Sequence, residues 1–342
     1  MIISRTPLRA SFFGGGTDYP LWYRENGGSV LATTIDKYCH ITCRFLPPFF
    51  EHRSRVVYSK IEYVQANEDI QHPAVRAALK HFNISDGVEV HYDADLPSRT
   101  GLGSSSSFVV GMLHALAALT QKTLTKRQLA EAAIHIEQEV LKETVGCQDQ
   151  IMASYGGLNR LDFLPNDQFR VTPLTLQSER VDQLEHSLLL FFTGFSRTAS
   201  EIAKEQIDQM DEKRLELFRI RELVEEGISI LSGKDDLDRF GALLDESWKL
   251  KRTLSSKVST SVIDEIYEEA RRAGAIGGKL LGAGGGGFML IFARPEDQLS
   301  IVERLKQLLL VPFRFERNGS QIIHYDPLDS GTIGGEVFKP DV

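Results

Sequence analysis

The chain of 342 residues has only three cysteines. Cys39, Cys43 and Cys147 are an odd set with no disulfide framework, and no second ligand pair follows Cys39 and Cys43 at zinc spacing. They read as small side chains, the first two on a buried strand, and their scarcity points to a reducing cytoplasm. Long hydrophobic runs are missing too. Leu188-Leu189-Leu190-Phe191-Phe192 is far too short to span a bilayer. The opening Met1-Ile2-Ile3-Ser4-Arg5-Thr6-Pro7 has no charged stretch followed by an apolar one, so no secretory signal is visible. Excess positive charge is absent. A net charge of -8 gives no general attraction to nucleic acid or an anionic membrane, so any phosphate binding must be local. No Walker A motif occurs, because Gly278-Lys279 is followed by Leu280 and the earlier glycine spacing fails.

What is present suits a globular enzyme of two domains. Hydrophobic residues make up 42% and charged residues 25%. Thr33 to Cys43 is rich in β-branched and aromatic residues, and Val88 to Tyr92 alternates; both read as strands. Pro97 to Ser107 is a Gly/Ser loop, and Phe108 to Leu119 a buried helix. Thr125 with Gln128 predicts a capping box opening a helix through about Leu141. Glu201 to Leu231 reads as one long charged helix, with further amphipathic helices at Phe240 to Leu254 and Ser261 to Ala273. Gly282 to Gly287 precedes the strand Phe288 to Phe292, and a helix near Gln298 to Leu309 and two short strands finish the chain. The change of character between 175 and 195 predicts domains of 1–185 and 186–342.

Three small-residue clusters stand out: Gly14-Gly15-Gly16, Gly101 to Ser107, and Gly282 to Gly287. In the second, glycines let the backbone approach a ligand, and the loop runs into an apolar helix whose positive end suits a polyphosphate. Its serines add hydroxyl donors and a candidate magnesium ligand; the same residues also suit an ordinary Ser-rich cap and turn. The third cluster matches the bare dinucleotide pattern, but its strand comes after it rather than before. Glu137 and Asp149 form an acidic pair in different local settings. Phosphoryl transfer needs a cation ligand and a group that orients or deprotonates the acceptor, and two such carboxylates can divide those roles. Taken singly, each reads as a solvated helix or turn residue.

Together these segments resemble the GHMP kinases over nearly the whole chain. Pro7 to Tyr19 looks like the family's first motif, Pro97 to Ser107 like its phosphate loop, and Lys279 to Phe288 like its third motif. The resemblance implies an α+β fold: an N-terminal domain like the second domain of ribosomal protein S5, a ferredoxin-like C-terminal domain, and a site in the cleft between them. Within the family, Phe-Phe-Gly-Gly-Gly-Thr-Asp-Tyr, Gly-Cys-Gln-Asp-Gln and the Lys279 segment are similar to the D-glycero-α-D-manno-heptose 7-phosphate kinases, and less closely to the kinase part of fucokinases. The heptose enzymes phosphorylate the anomeric hydroxyl, giving the 1,7-bisphosphate on the way to GDP-heptose and surface glycans. A kinase for another sugar, such as fucose, and a non-catalytic ATP- and sugar-binding sensor are the competing readings.

The resemblance also implies residue roles. Asp149 matches the catalytic aspartate, and Arg9 the arginine that stabilises it. ATP falls to Pro97, Gly101, Leu102, Gly103, Ser104, Ser105, Ser106 and Ser107, and Mg²⁺ to Ser105 and Glu137. Gly15, Gly16, Thr17, Asp18, Gly146, Gly284 and Gly285 fall on the sugar side. Galactokinases carry Glu-His where this chain has Gly15-Gly16, which disfavours galactose and leaves room for a longer sugar. A 7-phosphate needs a second anion site, for which Arg197 and Lys251 are candidates, with Arg252 and Lys279 as further ones. The expected partners are ATP and a sugar phosphate, without nucleic acid or membrane; a homodimer is left open.

Overall fold

Eighteen residues, Gly28–Phe45, form the strand on which the first sheet is assembled. A computed structural model describes residues 1–326 apart from 48, 99 and 195–198. Its strands are β1 (Ile2–Phe13), β2 (Gly28–Phe45), β3 (Ser54–Val57), β4 (Ile61–Val64), β5 (Val88–Ala94), β6 (Leu158–Phe163), β7 (Phe169–Pro173), β8 (Leu188–Gly194), β9 (Gly277–Leu280), β10 (Gly287–Phe292), β11 (Leu309–Leu310), β12 (Phe315–Glu316) and β13 (Gln321–Tyr325). Its helices are α1 (Pro20–Asn26), α2 (Pro73–His81), α3 (Ser104–Leu119), α4 (Lys126–Ile134), α5 (Gln148–Tyr155), α6 (Ser178–His186), α7 (Ala199–Asp208), α8 (Arg214–Ser232), α9 (Asp238–Thr253), α10 (Ser261–Arg272) and α11 (Gln298–Arg304). Among the described residues no helix is long and apolar enough to cross a membrane.

The first sheet runs β13-β1-β2-β5-β3-β4, with β6 and β12 also on β2 and β7 on β6. Only β3 and β5 pair in parallel. The second sheet runs β11-β8-β10-β9, all antiparallel. In chain order that is a β-α-β-β-α-β unit with spatial order 4-1-3-2, the ferredoxin-like arrangement. The last strands, β12 and β13, return to the first sheet. A boundary at 185/186 therefore leaves them on the opposite side in sequence from the sheet they join.

The helix α3 lies against β1 and β2 because it is apolar nearly all round. Phe108, Val110, Met112, Leu113 and Leu116 join Ile2, Ile41, Cys39 and Cys43 in one core. A second core forms the seam between the halves, where Leu8, Phe12, Leu31 and Ile35 meet Phe240, Leu244, Phe288 and Leu290. Phe240 stands edge-on to Phe12 at 5.4 Å and Phe13 at 5.0 Å. Truncating one such ring to alanine costs about 3–5 kcal/mol, so Phe240→Ala would open the seam that supports the cleft.

Two helices depart from the sequence expectation. The stretch expected as one helix to Leu231 is two, α7 and α8, separated at 209–213 without Gly or Pro. Packing imposes the break: Ile202 of α7 belongs to the core under the second sheet, whereas Leu223 and Val224 of α8 belong to the seam. The capping box at Thr125 and Gln128 forms as expected, but His135–Val140 winds as a π-helix. That looser turn carries Glu137.

Candidate active site

The phosphate loop is shorter than its sequence suggests. α3 starts at Ser104, with Gly103 as a left-handed N-cap at φ 75°, so the four serines form the first turn. Ser107 N donates to Gly103 O at 2.9 Å. The amides of Ser105 and Ser106 therefore point out of the helix end, where its dipole favours an anion. Ser107 Oγ is used internally, donating to Pro7 O at 2.9 Å. Leu102 is fully buried and offers its carbonyl to Arg9 N at 3.0 Å. Gly101 and Gly282 pack backbone to backbone, both at positive φ: a Cβ on Gly282 would lie 2.3 Å from Gly101 Cα. The third glycine segment thus props the second, and any side chain there would force the two apart.

Asp149 sits in the first turn of α5 and is held by Arg9 of β1 through a two-pronged ion pair. Arg9 Nε donates to Oδ1 and Nη2 to Oδ2, each at 2.8 Å. Arg9 Nη1 also donates to Gly101 O at 2.5 Å. The same guanidinium therefore fixes the carboxylate and the phosphate loop together. A Cβ on Gly103 would stand 3.3 Å from Asp149 Oδ2, so loop and carboxylate are in contact. The Asp149 side chain keeps 23% of its surface exposed against 5% for Arg9, so the carboxylate alone opens outward.

Asp18 is buried beside this pair. Gly16 N donates to Oδ1 at 3.0 Å and Gln148 N reaches Oδ2 at 3.4 Å. Burial, and then the Asp149 charge, push its carboxyl up to about 6, against the opposing pull of those amides. Gly146 is required here because a Cβ would lie 1.9 Å from Asp18 Oδ2. Thr17 is wholly buried and uses its hydroxyl inside the turn, donating toward Gly14 O and Ser29 O.

Glu137 is completely buried. Its Oε2 accepts from Ser106 Oγ at 2.8 Å and from Gln150 Nε2, while Oε1 has no partner. Burial pushes its carboxyl up to about 8. The structure brings Ser106, not Ser105, to Glu137, and Ser105 is exposed on the outer side of the same turn. A buried carboxylate oxygen without a partner next to a hydroxyl fits a hard divalent cation. Among the described residues no three His, Cys, Asp or Glu side chains gather as a metal cage.

The basic candidates fare differently. Arg197 lies outside the described residues. Lys251 of α9 is half-buried, and its ammonium donates to Leu280 O at 2.8 Å and to Gly282 O. Lys279 of β9 donates to Phe12 O at 2.7 Å. Burial pulls Lys279 down to about 7 and Lys251 well below its usual range, with nearby cations adding to both. Arg252 pairs with Asp264 at 3.0 Å. Gly285 N donates to Val258 O at 2.9 Å, and a Cβ on Gly284 would lie 2.7 Å from the same atom. The third loop is therefore fastened on several sides.

Sequence reasoning did not foresee a cavity of about 440 Å³ beside the phosphate loop, whose lining includes Tyr58, Tyr92, Asp93, Asp95 and Pro97. These residues come from the end of β5, the loop after it and the turn after β3, and no local spacing marks them.

The chain is similar to known proteins over most of its length. The family model described as GHMP kinases N terminal domain matches residues 68–157, and GHMP kinases C terminal matches 221–309. A D-glycero-alpha-D-manno-heptose 7-phosphate kinase of Campylobacter jejuni is 31% identical over 332 residues, covering 93% of this chain and 97% of that protein. A crystal structure of a putative sugar kinase from Campylobacter jejuni superimposes with TM-score 0.70 at 28% identity, covering 94% and 98%. A D-glycero-D-manno-heptose 1-phosphate kinase from Bacteroides thetaiotaomicron gives TM-score 0.72 at 24% identity, covering 95% and 99%.

Proposed function

Since the chain belongs to the GHMP kinases, a family of two-domain phosphotransferases with ATP as donor and an alcohol as acceptor, we propose that its acceptor is a sugar phosphate. The finer reading is the anomeric hydroxyl of D-glycero-α-D-manno-heptose 7-phosphate, giving the 1,7-bisphosphate for GDP-heptose and surface-glycan synthesis. The likeness to the Campylobacter enzyme over almost the whole of both chains supports it. The observation that carries the mechanism is the contact between Asp149, in its Arg9 fork, and Gly103 at the phosphate-binding helix end.

In this mechanism the triphosphate meets the outward amides of Ser105 and Ser106 at the start of α3. The base enters the cavity of Tyr58 and Tyr92, where aromatic faces suit stacking and the carboxylates of Asp93 and Asp95 suit an exocyclic amine. Glu137 and Ser106 are the groups that would hold Mg²⁺, with Ser105 next to them on the turn; bound there, the ion would neutralise phosphate charge. Asp18 accepts hydrogen bonds from sugar hydroxyls. Asp149 takes the proton of the attacking hydroxyl as its oxygen bonds to the γ-phosphorus and ADP departs. Arg9 keeps the carboxylate aimed and adds positive charge at the reacting centre, so orientation and electrostatics carry most of the rate. We place the protein in the cytoplasm, where ATP and sugar phosphates are found.

The deciding assay offers Mg·ATP with heptose 7-phosphate, unphosphorylated heptose, fucose, galactose or no sugar. The reading expects turnover with the sugar phosphate and little with the rest. Equal kcat/KM for phosphorylated and free heptose would remove the 7-phosphate from it.

A further inference from the structure

Buried polar atoms without partners are rare, because each costs about 1–3 kcal/mol in lost solvation. Among the described residues, two of them belong to side chains that lie around the same glycine. Ser11 is 6% exposed and its Oγ has no partner; Gln148 Oε1 is likewise buried and unpartnered. Both side chains lie around Gly15. A Cβ built there would stand 3.7 Å from Ser11 Oγ and 3.8 Å from the Gln148 amide nitrogen.

Their position is not accidental. Leu8, Ala10 and Phe12 of β1 face the seam core, so Arg9 and Ser11 share the opposite face of the strand. The pairing of β1 with β2 shifts register between Ser11 and Phe13, a bulge of the kind that re-aims side chains beside active sites. Gln148 immediately precedes Asp149 in α5 and donates its backbone amide toward Asp18. The two unpartnered groups thus flank the Arg9–Asp149 pair, under the glycine that leaves the space open.

We propose that Ser11 and Gln148 form a subsite for one neutral hydroxyl of the acceptor sugar, in the space that Gly15 leaves. A hydroxyl there accepts from the serine O–H and, with the Gln148 amide turned so that its oxygen rather than its nitrogen faces the space, donates to the glutamine carbonyl, satisfying both orphans at once. Neither side chain is charged, so this subsite reads a hydroxyl and does not hold the far phosphate. The proposal rests on the sugar-kinase reading, but not on the identity of the sugar.

Ser11→Ala and Gln148→Met test it, assayed with heptose 7-phosphate and its single-deoxy analogues. Each variant should raise the sugar KM roughly three- to tenfold, with the ATP KM and Tm unchanged. One deoxy analogue should suffer in the wild type yet lose nothing more in the variants, because the same contact is already gone. Gly15→Ala is the companion: its methyl fits at ordinary contact distance, so folding is kept, but it fills the hydroxyl's place and should raise the sugar KM too. Unchanged sugar KM in Ser11→Ala and Gln148→Met, or full deoxy penalties retained in them, would overturn the subsite. If the wild type ignores heptose 7-phosphate but uses fucose, the substrate reading falls and the same variants with fucose still decide the subsite.

Discussion

Both domains bury ionisable groups near the cleft, but they treat them in opposite ways. In the first domain Asp18 and Glu137 are acids pushed toward their neutral forms, and Glu137 keeps one oxygen with no partner. In the second, Lys251 and Lys279 are amines pushed toward theirs, and both already donate to main-chain carbonyls. Neither lysine is in an ion pair among the described residues. The carboxylates are set for something that arrives; the lysines hold glycine segments together. Lys279 ties β9 to the end of β1, and Lys251 ties α9 to the third loop. A buried charge is costly to apo stability in either case, and the difference lies in whether its partner is already present.

Removing the one carboxylate that is partnered and open should have the largest effect. Asp149→Asn keeps the shape but removes the proposed proton acceptor and half of the ion pair with Arg9. Turnover should fall at least about a hundredfold, with ATP binding little changed. Near-normal turnover would take Asp149 out of the chemistry and leave it a partner of Arg9 only.

Glu137→Gln sharpens the contrast next. With its carboxyl at about 8, Glu137 is largely protonated at neutral pH in the apo protein. A divalent cation must displace that proton, so Mg²⁺ affinity should rise with pH up to about 8 and each binding event should release a proton. Calorimetry in two buffers of different ionisation enthalpy measures this directly, without turnover. Glu137→Gln should abolish the proton release. Binding heats independent of buffer in the wild type would move the cation away from Glu137.

The contrast itself was only partly legible in the sequence. Glycine spacing, the capping box at Thr125 and the apolar run after Ser107 are local signals, and they located the Gly/Ser loop, α4 and α3. The choice between Ser105 and Ser106 depends on where α3 begins, and four serines in a row give no period from which to read its phase. The partners of Lys251 and Lys279 lie across the fold, so as sequence they resembled free cations for a phosphate. Ser11 and Gln148 gave no signal at all: their meaning comes from a bulge and from a glycine that brings them to one void. The break between α7 and α8 likewise follows from which core each helix joins.

Asp18→Asn tests the cost of a waiting carboxylate. Its folded value of about 6 lies above the ordinary carboxyl value of 3.8, so the folded state binds more protons between those pH values. Wild-type stability therefore falls as pH rises through that window, and the full cost, about 3 kcal/mol, is present above it. Asparagine carries no such cost and keeps an oxygen for Gly16 N. The variant should melt higher than the wild type at pH 7, with the gap closing toward pH 4, and should use the sugar poorly. A lower Tm at pH 7 would make Asp18 a structural residue.

Lys279→Met addresses the other side, with the smallest effect and the clearest sign. The folded lysine sits at about 7 and an ordinary lysine at 10.5, so between those pH values the unfolded chain binds the extra proton. Wild-type stability must then rise with pH through that window. Burial is the main cause of the lowered value, and the charged group that adds to it is Arg9, itself held by Asp149. Methionine fills much the same space but removes both the titration and the bond to Phe12 O. Losing that bond lowers stability by a constant amount, whereas losing the buried charge removes a cost that is largest below pH 7. The stability of the wild type relative to the variant should therefore rise by about 2 kcal/mol from pH 6 to pH 8.5. Thermal or urea melts at the two pH values read it. A gap that stays constant would mean that the Lys279 ammonium is solvated, and the fastening of β9 to β1 would have to come from the apolar seam alone.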